Sequence, residues 1–267
     1  MISNYKKHKK AAEKLYSFLN LERKIVGVKF LKTEDEYLNT NLSENSYLMS
    51  YCNMVRTASN GHRLKVKKEN FKCMSSARAF GFYEKEEKHS SGSEYYSYGL
   101  YKTQDIAKSV QDSVKYLDMK IYGLLIQPLE FYEESDFDVA IIITNPYNTM
   151  RIVQAYSYSF GFMDTLGICS NQAVCSELTV RPYLDKNMNI SFLCSDSRFS
   201  CGWDSGEMGI GISSEIFHDV AEGVIATFNA TEPDSIKKDV QKKLENNNLS
   251  FEEIKYGQTY FYEKRKD

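Results

Sequence analysis

The sequence predicts a mixed α/β protein in which two similar halves pack into one compact unit, and three observations support this. Residues 25–30 and 138–144 are β-branched, apolar runs, which are typical of buried strands. Amphipathic segments that begin at capping residues alternate with such runs. The order strand, helix, cysteine segment, strand, helix occurs twice, in residues 23–130 and 136–230. The chain of 267 residues is long enough to bury a substantial core.

The N-terminal segment, residues 1–22, is predicted to be helical. Between residues 5 and 19, apolar side chains recur at helical spacing among lysines and glutamates. After the first strand, Asn45 or Ser46 is expected to cap a second helix, because both side chains can accept a hydrogen bond from a first-turn amide. That helix carries Cys52.

The remainder of the first half contains two further signals. Cys73 is expected to open a short helix of small residues, where free amides favour a thiolate or a bound anion. The tyrosine-rich residues 95–101 are interpreted as a strand, and Thr103 is positioned to cap a helix over 104–117.

The second half repeats this order. Asn145-Pro146 predicts a helix start after the strand 138–144. A cysteine segment at 167–177 follows in the place that Cys73 holds in the first half, and a strand at 207–212 precedes a helix to about Phe228. The C-terminal segment, residues 231–267, is expected to add an exposed helix over 232–248 and an edge strand over 259–262.

The charge balance excludes some classes of partner. There are 34 basic and 36 acidic residues, so no basic excess indicates nucleic acid binding. No apolar run is long enough for a signal peptide core or a membrane span, which predicts a cytoplasmic protein without membrane attachment. The six cysteines are therefore expected to be thiols. The four histidines show no ligand spacing and are expected at the surface.

The cysteines are the residues that best indicate chemistry. Cys73, Cys175 and Cys194 lie in turn or helix-start segments rich in small and polar residues, where backbone amides can stabilise a negative sulfur. No tight Cys-x-x-Cys pair of a zinc ribbon or ferredoxin is present. Inert buried thiols, a metal or cluster site, and free reactive thiols all remain open on this evidence.

Arginines lie close in sequence to three of the cysteines, and Arg78 is the one that lies near Cys73. Arg56 follows Cys52 by about one helical turn, and Arg198 follows Cys194 at a similar spacing. A guanidinium group could offset thiolate charge or bind a carboxylate or phosphate ligand. Salt bridges with nearby acidic residues are the alternative.

Several motifs together resemble the uncharacterised family DUF169, over about residues 10–230. They are the strand at 26–30, Cys52, the Cys73 segment ending at Phe80-Gly81, Tyr96 to Thr103, Asn145-Pro146, Val174 to Glu177 with Pro182-Tyr183-Leu184, Cys194 with Asp196 and Arg198, and Glu207 to Ile212.

The resemblance implies no activity, since none is established for the family. It implies that Cys52, Cys73, Cys175 and Cys194 recur, whereas Cys169 and Cys201 are additions of this chain. Four thiols, two from each half, suit a tetrathiolate iron–sulfur or zinc site. The extra thiol at Cys201 leaves a different or additional ligand set open.

Three hypotheses of function follow. The first is a metalloprotein that holds a [4Fe–4S] cluster, or zinc as second choice, and acts on or senses a small anionic molecule. The second is a binding module without catalysis, in which the cysteines only pack. The third is a thiol enzyme that uses Cys73 or Cys175, although no histidine partner is identifiable. A small-molecule ligand and a homodimer are the partners left open. The expected ligand-binding residues are Arg56, Tyr98 and Arg198, with Tyr96 and Tyr101 as further lining residues in the second hypothesis.

Overall fold

A computed structural model describes residues 4–132, 136–249 and 254–260, and its centre is one antiparallel sheet. Within these residues the sheet has six strands in the order β2-β3-β1-β4-β6-β5. The predicted strands at 25–30 and 138–144 lie side by side in the middle of the sheet, so the mixed α/β prediction is confirmed. The strands are β1 (Val26–Leu31), β2 (Leu64–Lys67), β3 (Gly123–Pro128), β4 (Val139–Thr144), β5 (Met188–Ser191) and β6 (Met208–Ser213).

From either edge of the sheet inward, the strands of each half appear in the same order: the second strand of that half, then its third, then its first. Each half contributes a central strand first, an edge strand second, and the strand between them third. The central strands β1 and β4 are antiparallel, so a pseudo-twofold axis perpendicular to the sheet relates β1, β2 and β3 to β4, β5 and β6.

Helices cover both faces of the sheet, and their bounds follow the capping signals closely. Among the described residues they are α1 (Asn4–Phe18), α2 (Glu34–Asn39), α3 (Tyr51–Ser59), α4 (Met74–Ala79), α5 (Glu87–Ser90), α6 (Ser93–Ser97), α7 (Gln104–Ser113), α8 (Pro146–Phe160), α9 (Arg181–Asp185), α10 (Ser195–Phe199), α11 (Ser214–Thr231) and α12 (Asp234–Asn246). Short 3₁₀ turns span Lys68–Asn70 and Leu129–Phe131, and a π-helix spans Ala173–Val180.

One face of the sheet is covered mainly by the long helices. Ala140 and Ile142 of β4 point to this side and join a core formed with α1, α8, α11 and α12. Where α8 and α11 cross, Gly223 lies against the backbone of Ala155, and a Cβ there would overlap that carbonyl. A buried ion pair between Arg151 and Glu232 joins α8 to the end of α11.

The other face carries the cysteine segments. Val139, Ile141 and Ile143 point to it and pack with α3, α4 and the π-helix. Gly211 of β6 lies against the backbone of Leu178, which brings the π-helix close to the sheet. None of the described helices is long and apolar enough to cross a membrane.

The pseudo-twofold axis corrects the correspondence drawn from the sequence. The counterpart of the π-helix is α3, because both follow a central strand and pack on the same face. Cys175 therefore corresponds to Cys52, whereas the sequence comparison placed it opposite Cys73. Cys73 and Cys194 correspond instead, since each is the N-cap residue of a short helix between an edge strand and the next strand, α4 and α10.

Residues 95–101 do not form the predicted strand. They begin within α6 and continue as turns, and only Tyr95 among them is buried. A strand in a sheet core needs burial on alternating residues, which Tyr96 and Tyr98 lack. The β-propensity of tyrosine is therefore overridden by local packing, in which Gly92 at φ +73° lies against α7.

Two smaller expectations also differ. The helix with Cys52 begins at Ser50, which accepts a hydrogen bond from the Asn53 amide, because the Asn45 amide donates instead to the Lys65 carbonyl beside β2. His8 and His89 are buried rather than at the surface, and each pairs with a carboxylate. Of the expected last strand, Thr259 and Tyr260 are not in a strand, and 261–262 lie outside the described residues.

Candidate thiolate centre

Equivalent elements of the two halves bring four cysteines to the same face of the sheet. Cys52 lies in the first turn of α3, and Cys175 lies in the first turn of the π-helix. Cys73 and Cys194 precede α4 and α10. Each half thus supplies one thiol from within a helix and one from a helix N-cap.

Cys52 and Cys194 form a pair across the two halves. The Ser197 hydroxyl donates a hydrogen bond of 3.2 Å to Cys52 Sγ and lies 3.2 Å from Cys194 Sγ. A hydrogen bond from the Cys52 thiol, aided by Ser197, lowers the pKa of Cys194 to about 6, although burial opposes this. The pKa of Cys52 is raised well above its ordinary value. The causes are the hydrogen bond with Cys194, a hydrogen bond with Cys201, and burial. At neutral pH Cys52 is therefore the proton donor and Cys194 the thiolate.

Cys175 and Cys73 form the corresponding second pair. Cys175 is buried, and its thiol donates to the Gln172 carbonyl at 3.6 Å. Burial is the main reason that its pKa lies well above the ordinary thiol range, and the charges of Cys73 and then Cys194 raise it further. Cys175 also raises the pKa of Cys52, so the two pairs are close enough to sense each other.

Cys201 adds a fifth thiol beside Cys52, outside the pseudo-twofold arrangement. Its Sγ lies 3.3 Å from the Ser50 hydroxyl. Cys52 has one thiol proton, so it donates either to Cys194 or to Cys201. When it donates to Cys201, this hydrogen bond, followed by that of Ser50, lowers the pKa of Cys201 to about 7 against the effect of burial. The Arg56 guanidinium donates to the Cys201 carbonyl at 2.5 Å, which fixes this segment against α3.

Cys169 does not join this group. Its Sγ donates to the Asn171 carbonyl, and its amide donates to Glu177 at 2.7 Å. Burial and then the Glu177 charge raise the pKa of Cys169 to about 11, so this thiol stays protonated at neutral pH.

The three expected ligand-binding residues lie in different settings. Arg56 is next to Cys201, and its Nε is buried without a hydrogen-bond partner. Arg198 donates to the carbonyls of Phe192 and Glu207, so its guanidinium is occupied by backbone oxygens. Tyr98 is 64% exposed, and its hydroxyl donates to Glu94. Of these three residues, only Arg56 bonds to one of the cysteines, at the Cys201 carbonyl.

The donor set suits a thiophilic metal in chemistry and in number, but its arrangement is not that of a closed single-ion site. In the described part of the chain, no three or more His, Cys, Asp and Glu side chains are grouped so that they could hold one metal ion. A zinc ion would require its four ligands to converge on one point. A cluster of several irons places its thiolates farther apart, around the cluster rather than around one ion.

Sequence reasoning did not identify two polar residues at these thiols. Ser197 follows Cys194 by three residues, which is the spacing at which a side chain at a helix start can reach back to the N-cap residue. This spacing was the available signal for Ser197. Gln172 carries no such signal, because its contacts are made with residues of the other half.

Comparison with known proteins places the chain in a family. The model of DUF169, described as an uncharacterised ArCR family, matches residues 14–223. The chain belongs to the DUF169 family. It is 27% identical over 223 residues to the uncharacterized protein MJ0308 of Methanocaldococcus jannaschii, which covers 80% of this chain and 91% of that protein. No solved structure shows significant similarity. All the cysteines of the thiolate centre lie within the part that matches DUF169.

Proposed function

We propose that this DUF169 protein binds an iron–sulfur cluster through Cys52, Cys73, Cys175 and Cys194, with zinc as second choice, and acts on or senses a small anionic molecule. One observation supports the proposal most strongly. Four thiols from four separate segments lie on the same face of the sheet in pseudo-symmetric positions, two from each half. Cysteines that only fill space have no reason to occupy matching positions at matching helix starts.

The charge of the group supports the same proposal. The pKa of Cys52 is raised mainly by its hydrogen bonds with Cys194 and Cys201, and the pKa of Cys175 mainly by burial; repulsion from neighbouring thiolates raises both further. A bound cationic centre removes this repulsion and stabilises all four as thiolates. When bound, such a cluster supplies electron transfer or Lewis-acid chemistry. The protein's own contribution is to hold the thiolates and, through Ser197, to donate hydrogen bonds to sulfur.

Metal analysis of protein prepared without oxygen tests the proposal. We expect a brown protein with about four irons and four acid-labile sulfides per chain, as in a [4Fe–4S] protein. Cys175→Ser should lose the colour and the iron, whereas Cys169→Ser should keep both, because Cys169 lies apart from the group. Wild-type protein that is made anaerobically and contains neither iron nor zinc would rule the proposal out.

A thiol–disulfide centre is the second candidate, and a specific contact favours it. Cys52 donates a hydrogen bond to the low-pKa Cys194, and Cys194 is only half-buried, so an oxidising disulfide could reach it. On this view metal-free protein treated with a small disulfide should form one reversible Cys52–Cys194 bond. Peptide mapping of metal-free protein would detect it. An iron-containing protein that forms no such bond supports the first candidate instead.

A further inference from the structure

The two cysteine pairs are held in different ways, although the fold relates them by symmetry. Ser197 touches both sulfurs of the Cys52 and Cys194 pair. The equivalent residue in the first half is Ser76, which also lies three positions after a cysteine. Its hydroxyl donates to the Cys73 carbonyl at 2.8 Å rather than to a sulfur. The second pair therefore needs another support.

Gln172 is bonded directly to Cys175 through its backbone. Its carbonyl accepts the Cys175 thiol at 3.6 Å, and it also accepts the Ser176 amide at 2.9 Å and the Glu177 amide at 3.3 Å. Gln172 itself has left-handed backbone angles of φ 52° and ψ 40°, which are uncommon for a residue other than glycine. Such strain persists only where the surroundings hold the residue in place.

Polar contacts of the Gln172 side chain keep this backbone in place. The residue is 5% exposed, and its side-chain amide nitrogen lies 3.3 Å from the Tyr95 hydroxyl, 3.2 Å from Gln111 Oε1 and 2.9 Å from the Tyr116 hydroxyl. The Tyr116 hydroxyl in turn donates to Gln111 at 3.1 Å. Burial is the main cause that raises the pKa of Tyr116 to about 12, so this hydroxyl keeps its proton at neutral pH.

The same network reaches the segment that carries the other cysteine of the pair. The Tyr95 hydroxyl lies 3.2 Å from the Ser75 hydroxyl, two residues after Cys73. A continuous path thus runs from the α4 segment through Tyr95 and Gln172 to the Cys175 thiol. Its middle part comes from residues 80–122, the long connection between α4 and β3. In the second half the matching connection is only residues 200–207, so it cannot supply an equivalent network.

We propose that Gln172 is a positioning residue, which sets the place of Cys175 relative to Cys73 through Tyr95 and Tyr116. This rests on the proposed thiolate centre for its functional meaning. Its structural consequence, selective control of the Cys175 thiol, is measurable without any metal.

The test compares alkylation of each cysteine in reduced, metal-free protein by iodoacetamide, read by peptide mass spectrometry. Gln172→Leu keeps the size of the side chain and removes its hydrogen bonds. We expect Cys175 alkylation to rise about tenfold, which corresponds to about 1.4 kcal/mol of lost protection. The alkylation rates of Cys52 and Cys194 should be unchanged. Gln104→Leu, on the exposed start of α7, is the matched control and should leave all rates as in wild type.

A second substitution separates positioning from general loosening. Tyr95→Phe removes one hydroxyl of the network, and we expect a smaller rise at Cys175 together with a change at Cys73. Gln172→Asn keeps an amide and tolerates left-handed angles, so it should restore part of the protection. An unchanged Cys175 rate in Gln172→Leu would overturn the inference, and so would an equal rise at all four cysteines.

The iron content of the same variants distinguishes the two proposals. If wild-type protein contains iron, Gln172→Leu should bind less of it at a given supply. If wild-type protein contains no metal but Cys175 still responds selectively, the thiolate-centre proposal fails and the positioning role of Gln172 stands.

Discussion

The strongest quantitative expectation concerns the Cys194 thiol in reduced, metal-free protein. Its pKa is lowered from 9.0 to about 6, and the hydrogen bond from Cys52 is the largest cause. At pH 7 a thiol with a pKa of 6 is about nine-tenths thiolate, whereas one with a pKa of 9 is about one-hundredth thiolate. Cys52→Ala removes the main donor. We therefore expect the pKa of Cys194 to move upward in this variant.

The assay is the rate of Cys194 alkylation from pH 5 to pH 10, followed by mass spectrometry. In wild type the rate should reach half of its plateau near pH 6, because only the thiolate reacts. In Cys52→Ala the midpoint should rise, and in Ser197→Ala it should rise less, because Ser197 is a smaller cause. Cys169 serves as an internal control, because its pKa of about 11 keeps its rate far below its plateau at pH 5 to 9 and still rising at pH 10 in every variant. A wild-type midpoint near pH 9, or one that Cys52→Ala leaves unmoved, would refute the reasoning.

Two further expectations concern the scaffold, and urea unfolding monitored by circular dichroism checks both. Glu232→Ala leaves Arg151 buried without its carboxylate, so the free energy of unfolding should fall by about 3–5 kcal/mol; a loss below about 1 kcal/mol would contradict a buried pair. Gly211→Ala places a Cβ against the Leu178 carbonyl and should destabilise by about 1–3 kcal/mol. Gly206→Ala meets nothing within 4 Å and, as the matched control, should change stability by less than about 0.5 kcal/mol.

Local signals in the sequence predicted the helix ends well. Thr103 accepts a hydrogen bond from the Ile106 amide, and Asn145 accepts one from Asn148, as expected of N-caps. Gly161 ends α8 with a positive φ. These features depend on residues within one turn of each other, so the sequence contains all the information that they require.

Features that depend on distant residues were predicted less well. The β-propensity of residues 95–101 gave no information on the packing of α6 against α7, so the strand prediction was wrong. Asn45 has the chemistry of a cap, but its backbone lies beside β2, and Ser50 takes that position instead. In both cases a tertiary contact overrides a local preference.

The candidate site likewise has features that local sequence predicts and features that depend on distant residues. The four cysteines could be chosen from their helix-start context and from the family resemblance. Their pairing could not, because Cys52 meets Cys194 only through the antiparallel contact of β1 and β4. The position of Cys201 beside Cys52 depends on Ser50 and Arg56, which lie about 150 residues earlier, and no local pattern records that contact.

The strand pairing between β1 and β4, where the two halves meet, is short. It contains three paired residues, Val26 to Val28 with Val139 to Ile141, whereas β1 and β3 pair over six. The apolar cores on both faces of the sheet also join the two halves, and the side chains of Ser197 and Gln172 add polar bridges beside the cysteines. A change in how the two halves pack would therefore also move the hydrogen-bonding groups that Ser197 and Gln172 place beside the cysteines.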